Sequence, residues 1–539
     1  MRSLRYHVPP PRPLVPQEVT TTLCIFGASP AGITAAIQAR QLGHAVELCI
    51  PSSWLGGLTS GGLSNTDIGN KGAIGGLARE FYRRVGAHYG IAEEWRFEPH
   101  VAEQVFTTWL AEYGVVPRFD QHLAGAEVRA GRIAAAHFES GLCVRAELFI
   151  DASYEGDLLA AAGVSFATGR ESNGTYGEIL NGVQVRETHQ FDLPIDPWRV
   201  PGQPASGLLP GILDEPLGAP GSGDQVIQAY NFRVTATRAP GRLPWPQPEG
   251  YDPLDYELLA RVLARGWNQV FRKFDRLRGG KVDINNHGPV STDWIGGSHG
   301  FPLASPAERE AIFQGHVRWQ QGWFWFLAHD PRVPEGIRAE MNAWGLPADE
   351  FTDTGGWPRQ LYIREARRML ADVVITEHDC RGRHRASDPI GLGAYGMDSH
   401  HGRRLLVDGR VLNEGDVQTS GGRPYPISYR AIVPRRGEAT NLLVPVCLSA
   451  SHIAFGSIRM EPVFMLLGQS AALAAHLALR AGVPVQQVRY EELRPLLEQA
   501  GQVVDEDCAT NTAYEPEAAP PLESRAPDST LASVAGKLG

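Results

Sequence analysis

The six residues GASPAG, Gly27 to Gly32, constrain this chain more than any other feature, because they join a strand-like apolar run to a helix-like alanine-rich run. TTLCIFG, from Thr21 to Gly27, predicts a buried strand. Ala31 to Leu42 predicts a helix that Gly43 stops, and Ala45 to Ile50 predicts a second strand. This βαβ unit has the length of a mononucleotide-binding half. Gly27 permits the tight turn, Gly32 permits close packing of helix on strand, and Ala28 and Ala31 are small enough to leave the helix N-terminus open to a pyrophosphate. Ser29 stands where the usual fingerprint has its middle glycine, so close approach requires its side chain to turn aside. Taken alone, the motif also reads as a structural βαβ turn.

The end of the second strand departs from the dinucleotide pattern. An acidic residue usually stands there to bind ribose hydroxyls, but here the place falls on Ile50, followed by Pro51. Ser52 and Ser53 are the nearest polar groups; they are candidates to bind the adenosine ribose from the loop and read equally as turn residues. Next comes WLGGLTSGGLSNTDIG, Trp54 to Gly69, in which the pairs Gly56–Gly57 and Gly61–Gly62 flank Thr59 and Ser60. Such a loop reads as a cofactor-contacting segment or as a glycine-rich surface turn. The chain has no GK[ST] phosphate loop, which removes support for ATP hydrolysis.

At 539 residues the chain exceeds the size at which one hydrophobic core keeps growing. Hydrophobic residues at 43% and charged residues at 20% are those of an ordered globular protein. A formal charge of -10 argues against nucleic acid and anionic membrane as partners, leaving a small-molecule substrate. The lysines are Lys71, Lys273, Lys281 and Lys537, too few to favour Schiff-base chemistry. The cysteines show neither zinc-site nor disulfide spacing, and the first twenty residues show no apolar signal region, so a reducing cytoplasm is expected. Met465 to Leu479 is apolar but interrupted by Gln469 and His476, and predicts a buried helix. The expected divisions are a Pro-rich leader (1–19), a nucleotide-binding part (20–169), a Trp-, Pro- and Gly-rich substrate domain (170–425), a returning α/β part (426–508) and a mobile tail (509–539).

LFIDASYEGDLLAAAGVSFATGRES, Leu148 to Ser172, resembles the second dinucleotide motif of the FAD-dependent oxidoreductases related to glutathione-reductase-type flavoproteins. The resemblance continues through YGEILNGVQ (176–184), SGLLPGI (206–212), QAYNFR (228–233), KVDINNHGPVSTDWIG (281–296), YIREARRM (362–369), TEHDCRG (376–382), MDSHHG (397–402) and NLLVPVCLSASHIAFGSIRMEPVFMLLGQSAA (441–472). Some members carry a xanthan lyase label. The resemblance implies an α/β fold in which a Rossmann-type FAD-binding domain is built from both chain ends around an inserted α+β substrate domain. It implies an enzyme that transfers a hydride from a small organic substrate, with a sugar-like one among the options, to FAD. It further implies that Asp151 contacts the flavin ribityl or pyrophosphate region, with Ala152, Gly156 and Asp157 beside it. Glu155 and Asp157 also read as helix N-terminal charges.

Similar flavoproteins bring a late strand and helix back to the isoalloxazine, which places Arg459, Met460 and Glu461 there, with Pro462 suited to a first helical turn. N–H groups of that helix would stabilise negative charge on the reduced pyrimidine. His452, His400 and His401 are the candidate proton acceptors, and Arg459, ahead of Arg364, the candidate anion ligand. Asp283, Asn285, Asn286 and His287 lack a metal-ligand spacing, and no required metal is expected. Two rivals remain: a sugar lyase or hydrolase using transient flavin oxidation, and a flavin-binding module without turnover.

Overall fold

The computed structural model describes residues 4–11, 14, 16–421 and 423–509. Strand β1 (Gln17–Phe26) ends in Leu23, Cys24, Ile25 and Phe26, all buried, as befits a central strand covered on both faces. Gly27 turns the chain into helix α1 (Pro30–Gln41), whose Pro30 stands in the first turn, where a missing N–H costs nothing. Gly43, at φ +83°, ends that helix. Strand β2 (Val46–Cys49) then pairs parallel to β1.

The other side of β1 pairs in parallel with β5 (Leu142–Asp151), which is reached through the antiparallel strands β3 (Leu123–Arg129) and β4 (Arg132–Phe138). The order is β2-β1-β5-β4-β3, and a late strand β10 (Leu442–Leu443) lies parallel against the end of β5. NLLVPVCLS contributes only two residues to this strand because Pro445 lacks the N–H that continued pairing needs. A separate antiparallel sheet holds β6 (Val234–Thr237), β8 (Lys281–Ile284) and β7 (Phe274–Arg276), with β8 in the middle. Helix α4 (Pro306–His329) begins with a full capping box of Ser305 and Glu308.

The expected apolar helix is α6 (Glu461–Ala481). By length and composition it would cross a membrane, but most of it is buried inside the protein. It crosses α1 closely: a Cβ built on Gly468 would lie 2.1 Å from the Ala31 carbonyl oxygen, and the Thr34 hydroxyl donates to the Met465 carbonyl at 2.7 Å. Within the Pro-rich leader, Tyr6 and His7 are fixed in place. The N–H groups of Tyr6 and His7 both donate to Glu310 of α4, at 2.6 and 2.9 Å. The expected mobile tail lies outside the described residues except for Ala509.

Candidate active site

The GASPAG turn leaves no room for side chains at its glycines. Gly27 has φ +131°, and a Cβ there would sit 2.2 Å from the Ala152 carbonyl carbon; one on Gly32 would sit 2.9 Å from the Gly27 oxygen. Ser29 has turned aside. Its hydroxyl donates to the Ala152 carbonyl at 2.6 Å instead of capping α1, so the first helical turn has no side-chain cap and keeps donors for an anion. Ala28 lines a narrow cleft with Ser52, Trp54, Tyr154, Glu155 and Gln360. In one direction this cleft adjoins a cavity of about 420 Å³ walled by Arg5, Tyr6, Ser52, Ser53, Asp120 and His122. In the other it adjoins a slot at Gly57, Ser60 and Gly61. A turn with open donors inside an elongated cleft fits a dinucleotide.

The glycine-rich loop forms the short helix α2 (Gly57–Gly61). Its glycines lie against protein: a Cβ on Gly57 would meet the Tyr154 hydroxyl at 2.4 Å and the Ser29 Cα at 3.0 Å, one on Gly56 the Ser60 hydroxyl, one on Gly61 Gln360, and one on Gly62 the Arg233 carbonyl. Glu461, in the first turn of α6, reaches this loop. Its carboxylate accepts from the Thr59 N–H (3.1 Å), the Thr59 hydroxyl (2.7 Å) and the Tyr154 hydroxyl (3.0 Å). No cation is bonded to it among the described residues, and burial pushes its carboxyl up to about 7. Gly27–Gly32, the glycine-rich loop, the end of β5 and the start of α6 therefore meet in one place. Met460 is the residue preceding α6.

Asp151 departs from its expected role. Both of its oxygens are taken within its own turn, by Ser153 N–H (3.1 Å), Ser153 hydroxyl (2.6 Å) and Leu159 N–H (2.8 Å), so it organises the start of helix α3 (Asp157–Ala161). Gly156, at φ +70°, caps that helix. Asp157 is held in ion pairs with Arg309 (2.7 Å) and Arg367 (2.6 Å).

A second cavity, of about 510 Å³, is polar and lined by Asn65, Asp67, Tyr395, Asp398, His400 and Gln418 among others. The loop Trp54–Gly69 walls the narrow cleft with its first half and this cavity with its second. Strand β9 (Asp398–Ser399) and the residues after it decide which histidine faces inward. Alternation sends Asp398 and His400 to the cavity and Ser399 and His401 away from it.

His400 Nδ1 lies 2.7 Å from Asp293, and its Nε2 lies 3.5 Å from Asp398. Burial and the Arg364 guanidinium depress its basicity, but Asp293 and Asp398 outweigh them, and the imidazole is more basic than usual. Arg364 pairs with Asp293 at 3.0 Å. Arg459 donates to the Tyr362 hydroxyl (2.6 Å) and to Asp398 (3.1 Å). Burial opposes ionisation of Asp398, yet His400 and Arg459 hold its carboxyl well below the usual range.

The other two histidines are structural by their contacts. His452, the first residue of α5 (His452–Ile458), is buried between Glu365 (2.7 Å) and the Ser399 hydroxyl (2.9 Å). These partners enclose its ring, whereas the expected place was beside the substrate. His401 lies 3.3 Å from the Thr188 carbonyl and accepts from the Asp416 N–H, and burial depresses it to about 4. In the polar group near residue 283, Asp283 clamps Arg233 at 2.9 Å, and Asn285 and Asn286 line the larger cavity.

A family described as "FAD dependent oxidoreductase" matches residues 22–497. The chain belongs to this family. FAD is its cofactor. Comparison with curated proteins finds no match. Among solved structures, the oxidoreductase is similar to the flavin-dependent brominase Bmp2, at 17% identity over 29% of this chain and 42% of that one, with a TM-score of 0.22. It is similar to the L-amino acid deaminase from Proteus vulgaris, at 16% identity over 30% of this chain and 54% of that one, with a TM-score of 0.23. L-Proline dehydrogenase from P. horikoshii aligns at 12% identity over 29% of this chain and 59% of that one, with a TM-score of 0.23. The chain thus covers less than two thirds of each, and likeness at this level carries no argument about its reaction.

Four residues of the site escaped the sequence reading. Asp293 and Asp398 lay inside segments quoted for the resemblance, and a D-x-H alternation at Asp398 and His400 would have marked them as sharing a face. Tyr154 and Tyr362 gave no signal of their own.

Proposed function

We propose that this oxidoreductase oxidises a small, polar, hydroxyl- or amine-bearing substrate in the cavity of about 510 Å³, with His400 as the base. The observation that carries the reading is the buried Asp293–His400 pair at 2.7 Å, whose ring lines that cavity. Gly27–Gly32, Tyr154 and the Gly56–Gly62 loop would hold FAD, which would supply the hydride acceptor. His400 Nε2 takes the proton from the substrate heteroatom. Asp293 accepts from Nδ1–H and so fixes the tautomer that leaves Nε2 unprotonated, facing Asp398 and the cavity. Arg364 offsets the charge of Asp293, while Arg459, itself donating to the Tyr362 hydroxyl, fixes Asp398 at the cavity wall. The lining carboxylates, amides and hydroxyls suit a polyhydroxylated substrate such as a sugar. Residues 170–425 supply most of this wall.

His400→Asn should keep FAD and slow substrate-driven flavin reduction by roughly 10² to 10⁴. Because the imidazole is more basic than usual, the parental rate should climb as pH rises through a value above about 6.5, and the variant should lose that limb. Stopped-flow reduction, normalised to bound flavin across pH, measures both. An unchanged rate in a folded variant refutes the role of His400.

A further inference from the structure

Strand β2 ends without a ribose-binding acid, but a different part of the chain brings one to the same place. Residues 118–121, just before β3, dock along the end of β2. Arg118 bridges Cys49 in parallel register, the Ile50 N–H donates to the Arg118 carbonyl (2.8 Å), the Gln121 N–H to the Ile50 carbonyl (2.8 Å), and the Asp120 N–H to the Ser52 carbonyl (3.1 Å). This docking holds Asp120 at φ +58°, a left-handed conformation that aspartate tolerates better than most residues. Its side chain lines the cavity of about 420 Å³ that adjoins the cleft at Ala28. Ser53 donates its hydroxyl to one carboxylate oxygen, and the other has no protein partner among the described residues. Ser52 already donates to the Trp54 carbonyl at 2.7 Å. The two serine hydroxyl protons are thus committed, and Asp120 presents a carboxylate acceptor to this cavity.

We infer that Asp120 binds the ribose hydroxyls of the adenosine half of FAD, in place of the acid missing at Ile50, and that residues 4–8 wall the adenosine cavity. Arg5, Tyr6 and Val8 line it, and the segment is anchored across the cleft to Glu310. The inference rests on the pyrophosphate lying at Gly27–Gly32. From there the cleft runs past Ser52 to Asp120. A ribose hydroxyl donates well to a carboxylate that a neighbouring serine has already oriented.

Full-length protein stripped of flavin, titrated with FAD and with FMN and followed by flavin fluorescence, tests this. Asp120→Asn keeps a residue that accepts the left-handed conformation and removes the charge. It should weaken FAD binding roughly 10- to 100-fold and leave FMN binding unchanged, because FMN carries no adenosine. Unchanged FAD affinity, or equal losses for both flavins, overturns the inference. If the variant fails to fold, the parental protein decides: it should bind an FAD analogue lacking the adenosine 2′-hydroxyl more weakly than FAD, and equal affinities overturn the contact. Gly32→Glu in the same assay separates the two levels. Loss of FAD there with none in Asp120→Asn rejects only the ribose contact, while retention of FAD in Gly32→Glu rejects the pyrophosphate placement and the inference with it.

Discussion

At the residue scale, two adjacent histidines with identical side chains have opposite roles because a strand turns successive residues to opposite faces. His400 meets Asp293 and the cavity, whereas His401 is buried against Thr188 and Asp416. The sequence showed the pair but not the face, since β9 is too short to display a pattern. For His452, the position between a late strand and α6 was legible, while its enclosure by Glu365 and Ser399, far apart in the chain, was not. His452→Asn removes at least one of these buried bonds and should lower stability by about 1–3 kcal/mol. Flavin reduction, per bound flavin, should stay within about threefold, as expected of a group that supports the wall without touching the reactants. Denaturant unfolding and stopped-flow traces of one preparation test this together. Unaltered stability with a hundredfold slower reduction would return His452 to the chemistry.

At the scale of elements, β1, α1, β2 and α6 appear close to where periodicity, Gly43 and Pro462 placed them. These signals are local, and the helices and strands they mark are long or strongly apolar. The docking of residues 118–121 was invisible because most of its bonds are backbone to backbone and leave no imprint on side-chain type. The α1–α6 crossing shows how tightly the turn is held. Gly468→Ala would bring a methyl 2.1 Å from the Ala31 oxygen and force the helices apart. The variant should lose about 1–3 kcal/mol of stability and bind FAD more weakly, because Ala31 belongs to the phosphate turn. Thermal unfolding with and without added FAD would show both effects. Tolerance of alanine without either change would mean that the crossing is less rigid than its spacing indicates.

For the molecule as a whole, burial raises the carboxyls of Asp151 (about 6), Glu155 (about 7) and Glu461 (about 7) near the cofactor cleft. An acid whose folded pKa is raised stabilises the fold below its unfolded pKa, and that contribution is lost as pH rises through the folded value. His122, His316 and His401, depressed to about 4, act in the opposite sense between roughly pH 4 and 6.5, so the total profile mixes the two. Comparison with Glu461→Gln isolates one acid. The stability of the parent relative to this variant should fall by up to about 3 kcal/mol as pH rises from about 4 to about 8. Chemical denaturation of both proteins at several pH values measures the difference. A constant difference would show that Glu461 is not held toward neutrality by its surroundings.

The sheet at the cofactor cleft takes its early strands from residues 17–151 and its late strand from Leu442–Leu443, with α6 following. Translation therefore delivers the phosphate turn first and its supporting helix last. At roughly 5–20 residues per second, the ribosome needs about 15–60 s to pass from the end of β5 to β10. Throughout that interval the nascent turn has no α6 against which α1 can pack. Stable loading of the flavin is thus an event of late or completed synthesis, and a chain stalled within its middle segment would leave the ribosome without the pigment of the finished protein.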